Sequence, residues 1–312
     1  MDFLFSLMSL RNPVLNWIMQ AITYCGEELA FMAVALVLFW CVDKWKGYYL
    51  LAVGFLGTIA TQWMKLIFRV PRPWVRRPDF KIVPSAEHGA TGYSFPSGHS
   101  QSAAGTFGGI ARFTKKTWLR IVCIVLVALV GFSRMYLGAH YPTDVAVGLS
   151  IGVLLVLVLH PVVVRAKEDP RWMYGLLGCL VLINAAYLLY LHLFDFPADV
   201  FRPENIDNYT EGLANGWKLL GALLGLILAY TVDRKKLHFS EKASLPGQIC
   251  KVVVGLAIVV GIQKGLKPVF AMISKDDFWN AVRYFCVVVF AGAVWPITFP
   301  FWQKLGSRRR LD

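Results

Sequence analysis

Three short segments in the first half of the chain hold residues that could do chemistry. One runs from Lys65 through six residues to Arg72 and Pro73. One is Pro96-Ser97-Gly98-His99. The third is Ser133-Arg134, five residues, His140, three residues and Asp144. Lys65, Arg72 and Arg134 supply three fixed cations. Phosphoryl transfer spreads negative charge over three equatorial oxygens, and positioning plus electrostatic stabilisation does most of the catalysis. Ser97 is a natural N-cap, so Gly98 and His99 begin a helix whose free N–H groups and positive dipole end form an anion site. His140 and Asp144 stand four apart at another helix start and can face the same way. An imidazole whose second nitrogen is oriented by a carboxylate can be a nucleophile. His99 has no acid beside it in sequence and suits a proton donor to the leaving oxygen. Asp144 is the one acid within these segments. No metal site is therefore expected and no cofactor is implied; the three cations take the part a metal would play.

These residues gather at the ends of apolar runs. Lys65 lies near the end of one run, and Pro71 and Pro73 stop that helix, so Arg72 falls in the loop beyond. Arg134 closes another run, and Pro142 suits the first turn of the next. Charged residues make up 16% of the chain and the mean hydropathy is +0.54, whereas a soluble domain carries about 25% charged residues. The charges are bunched between runs long enough for a bilayer, which takes roughly 20 apolar residues per helix. The expected fold class is all-α, a polytopic membrane helix bundle of nine transmembrane helices. They fall near 28–42, 47–69, 97–113, 118–138, 142–164, 172–194, 212–232, 248–270 and 278–302. Residues 1–24 place Phe3, Leu4, Leu7, Leu10, Val14 and Ile18 near helical spacing, which predicts an N-terminal amphipathic helix on the membrane surface, with a short extra span as the competing reading. The same residues lack the charged start and small-residue cleavage site of a signal peptide. The chain reads as one membrane domain, 1–312, with a catalytic core over 28–164 and additional helices over 165–312.

The net charge of +13 is explained chiefly by topology, because Lys and Arg stay in cytoplasmic loops. Nucleic-acid binding is not expected, since no basic stretch is interleaved with aromatics on a soluble domain. One alternating set of connections carries Lys44 and Lys46, then Arg112, Lys115, Lys116 and Arg120, then Arg165, Lys167 and Arg171, then Arg234, Lys235, Lys236 and Lys242. Lys304, Arg308, Arg309 and Arg310 end it, which places the C-terminus in the cytoplasm. The other set holds Asp195, Asp199, Glu204, Asp207, Glu211, Asp276 and Asp277. Every catalytic candidate falls on that outward, non-cytoplasmic side. The outward loop 69–81 breaks the rule with Arg69, Arg72, Arg76, Arg77 and Lys81, and an anionic substrate is one reason for cations to sit there.

The three segments resemble the K-x6-R-P, P-S-G-H and S-R-x5-H-x3-D motifs of the type 2 phosphatidic acid phosphatase (PAP2) superfamily. That group includes lipid phosphate phosphatases, polyprenyl-diphosphate phosphatases, glucose-6-phosphatase and vanadium haloperoxidases. The resemblance covers residues 65–144 closely. It implies that Lys65, Arg72, Ser97, Gly98 and Arg134 bind phosphate. It implies that His140 is a nucleophile forming a phosphohistidine, with Asp144 its orienting partner and His99 the acid. The helices after residue 165 exceed the simplest members and are similar in number to glucose-6-phosphatase and sphingosine-phosphate phosphatases.

The first functional reading is therefore a membrane phosphatase for a lipid phosphate or diphosphate: polyprenyl diphosphate, phosphatidate or a sphingoid-base phosphate. Its partner is a lipid substrate in the membrane, with a bacterial inner membrane as the expected location. A phosphatase for a soluble ester of the glucose-6-phosphatase type is the alternative, and a lipid transporter that retains the site is a third reading. A vanadate-dependent oxidase ranks last, because those relatives are soluble. Outside the motifs, His160, His192 and His238 read as structural, and His88 as a loop residue. Arg76, Arg77 and Lys81 are candidates for contact with a head group. Asn215, Lys218, Gln263, Lys264, Lys267 and Arg283 are candidates for lining a substrate cavity, with Lys267 and Arg283 also able to snorkel outward. Trp63, Trp74, Trp172, Trp279, Trp295 and Trp302 read as an interfacial belt. The six cysteines form no C-x-x-C pair and read as small buried hydrophobes.

Overall fold

The computed structural model describes residues 1–87, 89–90, 92–202 and 206–305. Among the described residues the chain is helical, without strands. The N-terminal stretch is two helices rather than one: α1 (Asp2–Ser9) and α2 (Pro13–Tyr24). The break follows from residue type. Pro13 occupies the first position of α2, and the Asn12 side chain caps it by accepting from Leu15 N at 3.0 Å. The remaining helices are α3 (Glu28–Val37), α4 (Lys44–Phe68), α5 (Pro73–Arg76), α6 (Pro84–Glu87), α7 (Gly98–Phe113) and α8 (Thr117–Tyr136). They are followed by α9 (Pro142–Ala166), α10 (Pro170–Leu193), α11 (Ile206–Val232), α12 (Leu245–Ile273), α13 (Phe278–Val289) and α14 (Phe299–Lys304).

Among the described residues seven helical stretches are long and apolar enough to cross a membrane. They are built on α4, α8, α9, α10, α11, α12 and α13 with α14. The other two expected spans are shorter. α3 continues through a π turn to Val42 and is bent by 47° from α2. α7 has 16 residues, or about 24 Å at 1.5 Å per residue. The long helices carry apolar side chains on their outer faces: Trp118, Ile121 and Ile124 on α8, and Leu154, Leu157 and Val158 on α9, are exposed. Such a surface is stable in lipid and not in water.

Two compact units interleave along the chain. The first comprises Met1–Met32, Tyr49–Pro161 and Leu191–Gly212. Within it α7 packs along α8, and α1 and α2 lie against α8. Leu4 and Leu7 of α1 are buried with Phe80, whereas Phe3, Leu10, Val14 and Ile18 are exposed. The N-terminal helices thus cover the 73–83 loop with one narrow stripe. Glycine lets the helices approach closely. A Cβ on Gly148 of α9 would lie 2.4 Å from the Ser97 carbonyl oxygen at the start of α7.

The second unit comprises Ala33–Tyr48, Val162–Tyr190 and the chain from Leu213 onward. Its centre is more polar than the hydropathy suggests. Lys251, 1% exposed, donates to the carbonyls of Trp40 at 2.7 Å and Glu241 at 3.0 Å, and lies over the Phe299 ring. Lys44 pairs with Asp233 at 2.7 Å. Trp295 is buried beside Trp40 and Trp302 and is not part of an interfacial belt. Arg283 is also buried, donating to Asn280 Oδ1 at 2.8 Å, so it does not snorkel. Of the cysteines, Cys123 is buried and Cys179 exposed. Cys25, Cys41, Cys250 and Cys286 are half-buried, so the expectation of buried thiols holds in full at Cys123 and fails outright at Cys179, which faces outward on α10.

Candidate active site

Every motif residue lies in the first compact unit. Lys65 occupies the last turn of α4. The helix stops at Phe68, and Arg69 turns the chain through a left-handed conformation, φ 47°. Arg72 then caps α5, with Pro73 at the first helical position. Its guanidinium is 3% exposed and held by two carbonyls: Nε donates to Gly92 O and Nη1 to Ala139 O, both at 2.9 Å. Nη1 also lies 3.1 Å from His140 Nε2. Gly92 has φ +62°, and a Cβ there would fall 2.2 Å from Asn208 Cγ, so this carbonyl post requires glycine.

Ser97 caps α7, its Oγ accepting from Ser100 Oγ at 2.8 Å and, more weakly, from Ser100 N at 3.4 Å. Its own N–H donates to Asp144 O at 3.0 Å, which ties the start of α7 to α9. His99 follows in the first turn of α7. Arg134 sits in the last turn of α8, 1% exposed. Nη1 donates to Thr23 Oγ1 at 2.9 Å, while Nε and Nη2 are buried with no hydrogen-bond partner among the described residues.

His140 lies between α8 and α9, 2% exposed. Nδ1 is 3.4 Å from Asp144 Oδ2, long for a hydrogen bond. Ser94 stands beside this contact. Its hydroxyl donates to Asp144 Oδ2 in a short bond and lies 3.4 Å from His140 Nδ1. Tyr141 N donates to the same carboxylate oxygen at 2.9 Å. The His140 imidazole is held well below the ordinary histidine range, first by burial and then by the charges of Arg72, Arg134 and Lys65, with His99 contributing. Its neutral form has an Nε2 lone pair that faces a cationic donor, and a nucleophilic nitrogen needs that lone pair. Among the described residues, no three His, Cys, Asp or Glu side chains gather to hold a metal ion.

Two stretches of the sequence match known families: residues 45–168 the PAP2 superfamily, and residues 217–307 the transmembrane extension of PAP2 superfamily phosphatases. The chain is 34% identical over 161 residues to phosphatidylglycerophosphatase B of Bacillus subtilis, covering 47% of this chain and 74% of that protein. The chain belongs to the PAP2 superfamily. It is also 29% identical over 154 residues to undecaprenyl-diphosphatase BcrC of Bacillus subtilis, covering 47% of this chain and 75% of that protein. Sphingosine-1-phosphate phosphatase 1 of Mus musculus is 27% identical over 282 residues, 84% of this chain and 62% of that protein. With its apolar helices and the transmembrane extension, this PAP2 chain is an integral membrane protein.

The sequence reading of the PAP2 motifs missed Ser94, Thr23 and the Gly92 carbonyl. Ser94 lies two residues before Pro96, yet nothing in its spacing marks it. Asn12-Pro13 is a readable helix start, from which two N-terminal helices follow. Of the other candidates, Arg77 pairs with Asp79 at the surface through two bonds at 2.9 and 2.6 Å. Arg76 and Lys81 are exposed. Lys218 donates to Asn215 Oδ1, and Gln263 to the Tyr284 hydroxyl, each at 2.9 Å. Lys264 and Lys267 are exposed. His160 stands edge-on to the Tyr49 ring, 5.8 Å between centroids, as a structural histidine would. His88, Glu204 and the Arg308–Arg310 cluster lie outside the described residues.

Proposed function

We propose that this PAP2 chain hydrolyses the phosphate ester or diphosphate of a membrane lipid through a phosphohistidine on His140. The observation that carries the reading is the His140 ring, with Asp144 and Ser94 at Nδ1 and Arg72 at Nε2. Lys65, Arg72, Arg134, Ser97 and the N–H groups that follow Ser97 bind the phosphoryl oxygens. His140 Nε2 attacks phosphorus as the bond to the leaving oxygen breaks, and His99 gives that oxygen its proton. His99 then takes a proton from water as the water attacks the phosphohistidine, which frees inorganic phosphate and His140. Asp144 stabilises the imidazole while Nε2 carries phosphorus.

A lipid substrate is supported by relatives named for phosphatidylglycerophosphate, undecaprenyl diphosphate and sphingosine 1-phosphate. Residues 28–164 serve as the catalytic core, and 165–312 add further helices within one membrane domain. Nine spans result when α3 and α7 cross beside the seven long helices, with α1 and α2 at the surface. The loop charges then put the site on the non-cytoplasmic face and the C-terminus in the cytoplasm, as in a bacterial inner membrane. Phosphate release is measured for purified wild type and His140→Ala. The panel holds phosphatidate, phosphatidylglycerophosphate, polyprenyl diphosphate, sphingoid-base phosphate and glucose 6-phosphate. Turnover of a lipid that vanishes in His140→Ala supports the reading. Turnover of glucose 6-phosphate alone moves the chain to the soluble-ester alternative. No release from any substrate, with translocation in vesicles, makes it a transporter.

A further inference from the structure

The phosphate-binding cations of a membrane enzyme must be held in place before substrate arrives, because a buried guanidinium that wanders loses its geometry. Arg72 has two carbonyl anchors. Arg134 makes one described side-chain hydrogen bond, and its partner lies outside the stretch that matches the PAP2 superfamily: Thr23, 1% exposed, near the end of α2. The same turn reaches His99. After α2 the chain runs through Cys25 N to Ile22 O at 3.1 Å, Gly26 N to Thr23 O at 2.9 Å and Glu27 N to Tyr24 O at 3.1 Å. This tight turn brings Gly26 so close to the start of α7 that a Cβ would lie 2.8 Å from His99 O. One turn between α2 and α3 therefore touches both the cation on α8 and the backbone of the acid on α7.

We propose that Thr23 is a positioning residue for phosphoryl transfer: its hydroxyl fixes Arg134 so that Nε and Nη2 point at the substrate phosphate. The chemistry fits. Arg134 donates Nη1–H to Thr23 Oγ1, which leaves an edge of two N–H groups, Nε and Nη2, with no hydrogen-bond partner among the described residues. A guanidinium edge of that kind matches two oxygens of a phosphate in a bidentate contact. Burying these donors without an anion is costly, and a bound phosphoryl group removes the cost. The N-terminal helices thereby become part of the binding site rather than a cover over it.

This inference rests on the phosphatase reading, and the experiment separates the two. Thr23→Val, Thr23→Ser and wild type are compared in detergent for KM and kcat on the best lipid phosphate, for inhibition by vanadate, and for thermal unfolding. Loss of a hydrogen bond to a charged group predicts a rise in KM and a weakening of vanadate inhibition of about tenfold or more in Thr23→Val. Thr23→Val should also lower thermal stability, since buried Nη1 loses its partner, and Thr23→Ser should restore KM, vanadate affinity and stability together. A merely structural role would lower kcat through a smaller active fraction and leave KM and vanadate affinity alone, and that result overturns the proposal. Wild-type KM and vanadate affinity in Thr23→Val overturn it as well, with the phosphatase reading intact. A wild type that neither releases phosphate nor responds to vanadate defeats both. If Thr23→Val loses its unfolding transition, Thr23→Cys, with only a weak sulfur acceptor, is judged by the same criteria.

Discussion

Arg72 Nη1 lies 3.1 Å from His140 Nε2 while donating to the carbonyl of Ala139, the residue just before the histidine. The cation is thus built against the nitrogen proposed to attack, and one side chain can grip both the backbone before His140 and an incoming phosphoryl oxygen. Lysine cannot reproduce this, since it has no planar fork to span the Gly92 and Ala139 carbonyls. Arg72→Lys should lower kcat/KM by about 10²- to 10³-fold, the range for losing one preorganised charge-stabilising donor. Steady-state kinetics of the purified variant on a lipid phosphate checks this.

Ser94 carries a prediction that the motifs do not. It donates to Asp144 Oδ2 and stands beside His140 Nδ1. Ser94→Ala leaves the Nδ1 side of the imidazole with the 3.4 Å contact to Asp144. A lost bond to a carboxylate corresponds to about a 10- to 100-fold fall in kcat. KM should stay within about twofold, because the Ser94 hydroxyl is committed to Asp144 and stands at the Nδ1 side of the ring. A rise in KM with unchanged kcat would contradict this placement.

The His140 ring should leave a mark on pH dependence. Its folded-state pKa is depressed, by burial first and then by Arg72, Arg134 and Lys65. Below about pH 6.5, the ordinary value, the unfolded chain binds a proton that the folded chain refuses. Stability therefore rises with pH and is lost as pH falls from about 6.5 toward the folded-state value, by at most ~1.4 kcal/mol per pH unit. Thermal unfolding of wild type and His140→Asn between pH 7.5 and pH 5 tests this. The variant should lose part of the acid sensitivity. In kcat/KM, the acid limb due to the nucleophile should fall below the ordinary histidine pKa.

Gly148 ties the fold to the site. A methyl group there would meet the Ser97 carbonyl at 2.4 Å, and that carbonyl belongs to backbone that cannot rotate away. Gly148→Ala should destabilise by about 1–3 kcal/mol, the usual cost of overpacking. It should also reduce kcat/KM by shifting the cap of α7. A thermal shift assay and kinetics on the same preparation would show both losses together.

The reaction as proposed uses no metal. Incubation with EDTA should leave turnover within about twofold of the untreated rate. His140→Ala should abolish turnover, and vanadate should compete with substrate as a mimic of the transferring phosphoryl group. A strong loss with EDTA, restored by a divalent cation, would require a different mechanism.

The placement of the candidate residues at helix ends was legible in the sequence. Lys65, Arg72, Ser97, His99, Arg134, His140 and Asp144 lie at helix ends that prolines, a serine cap and apolar run lengths mark in the sequence. Helix geometry carries such spacing directly into space. The long apolar helices were legible for the same reason. The two short ones, α3 and α7, are too brief for length and composition to decide that they cross the membrane.

What only the tertiary structure decided is who holds these residues. Thr23 reaches Arg134 across 111 positions, Ser94 reaches Asp144 across 50, and the Ala139 carbonyl reaches Arg72 across 67. No local period encodes such pairs. They exist because close packing of α2, α7, α8 and α9, opened at Gly26 and Gly148, brings buried polar groups together where water cannot satisfy them. Residue types and spacing along single helices set the chemistry available to this chain. The packing between helices set which hydrogen bonds aim it.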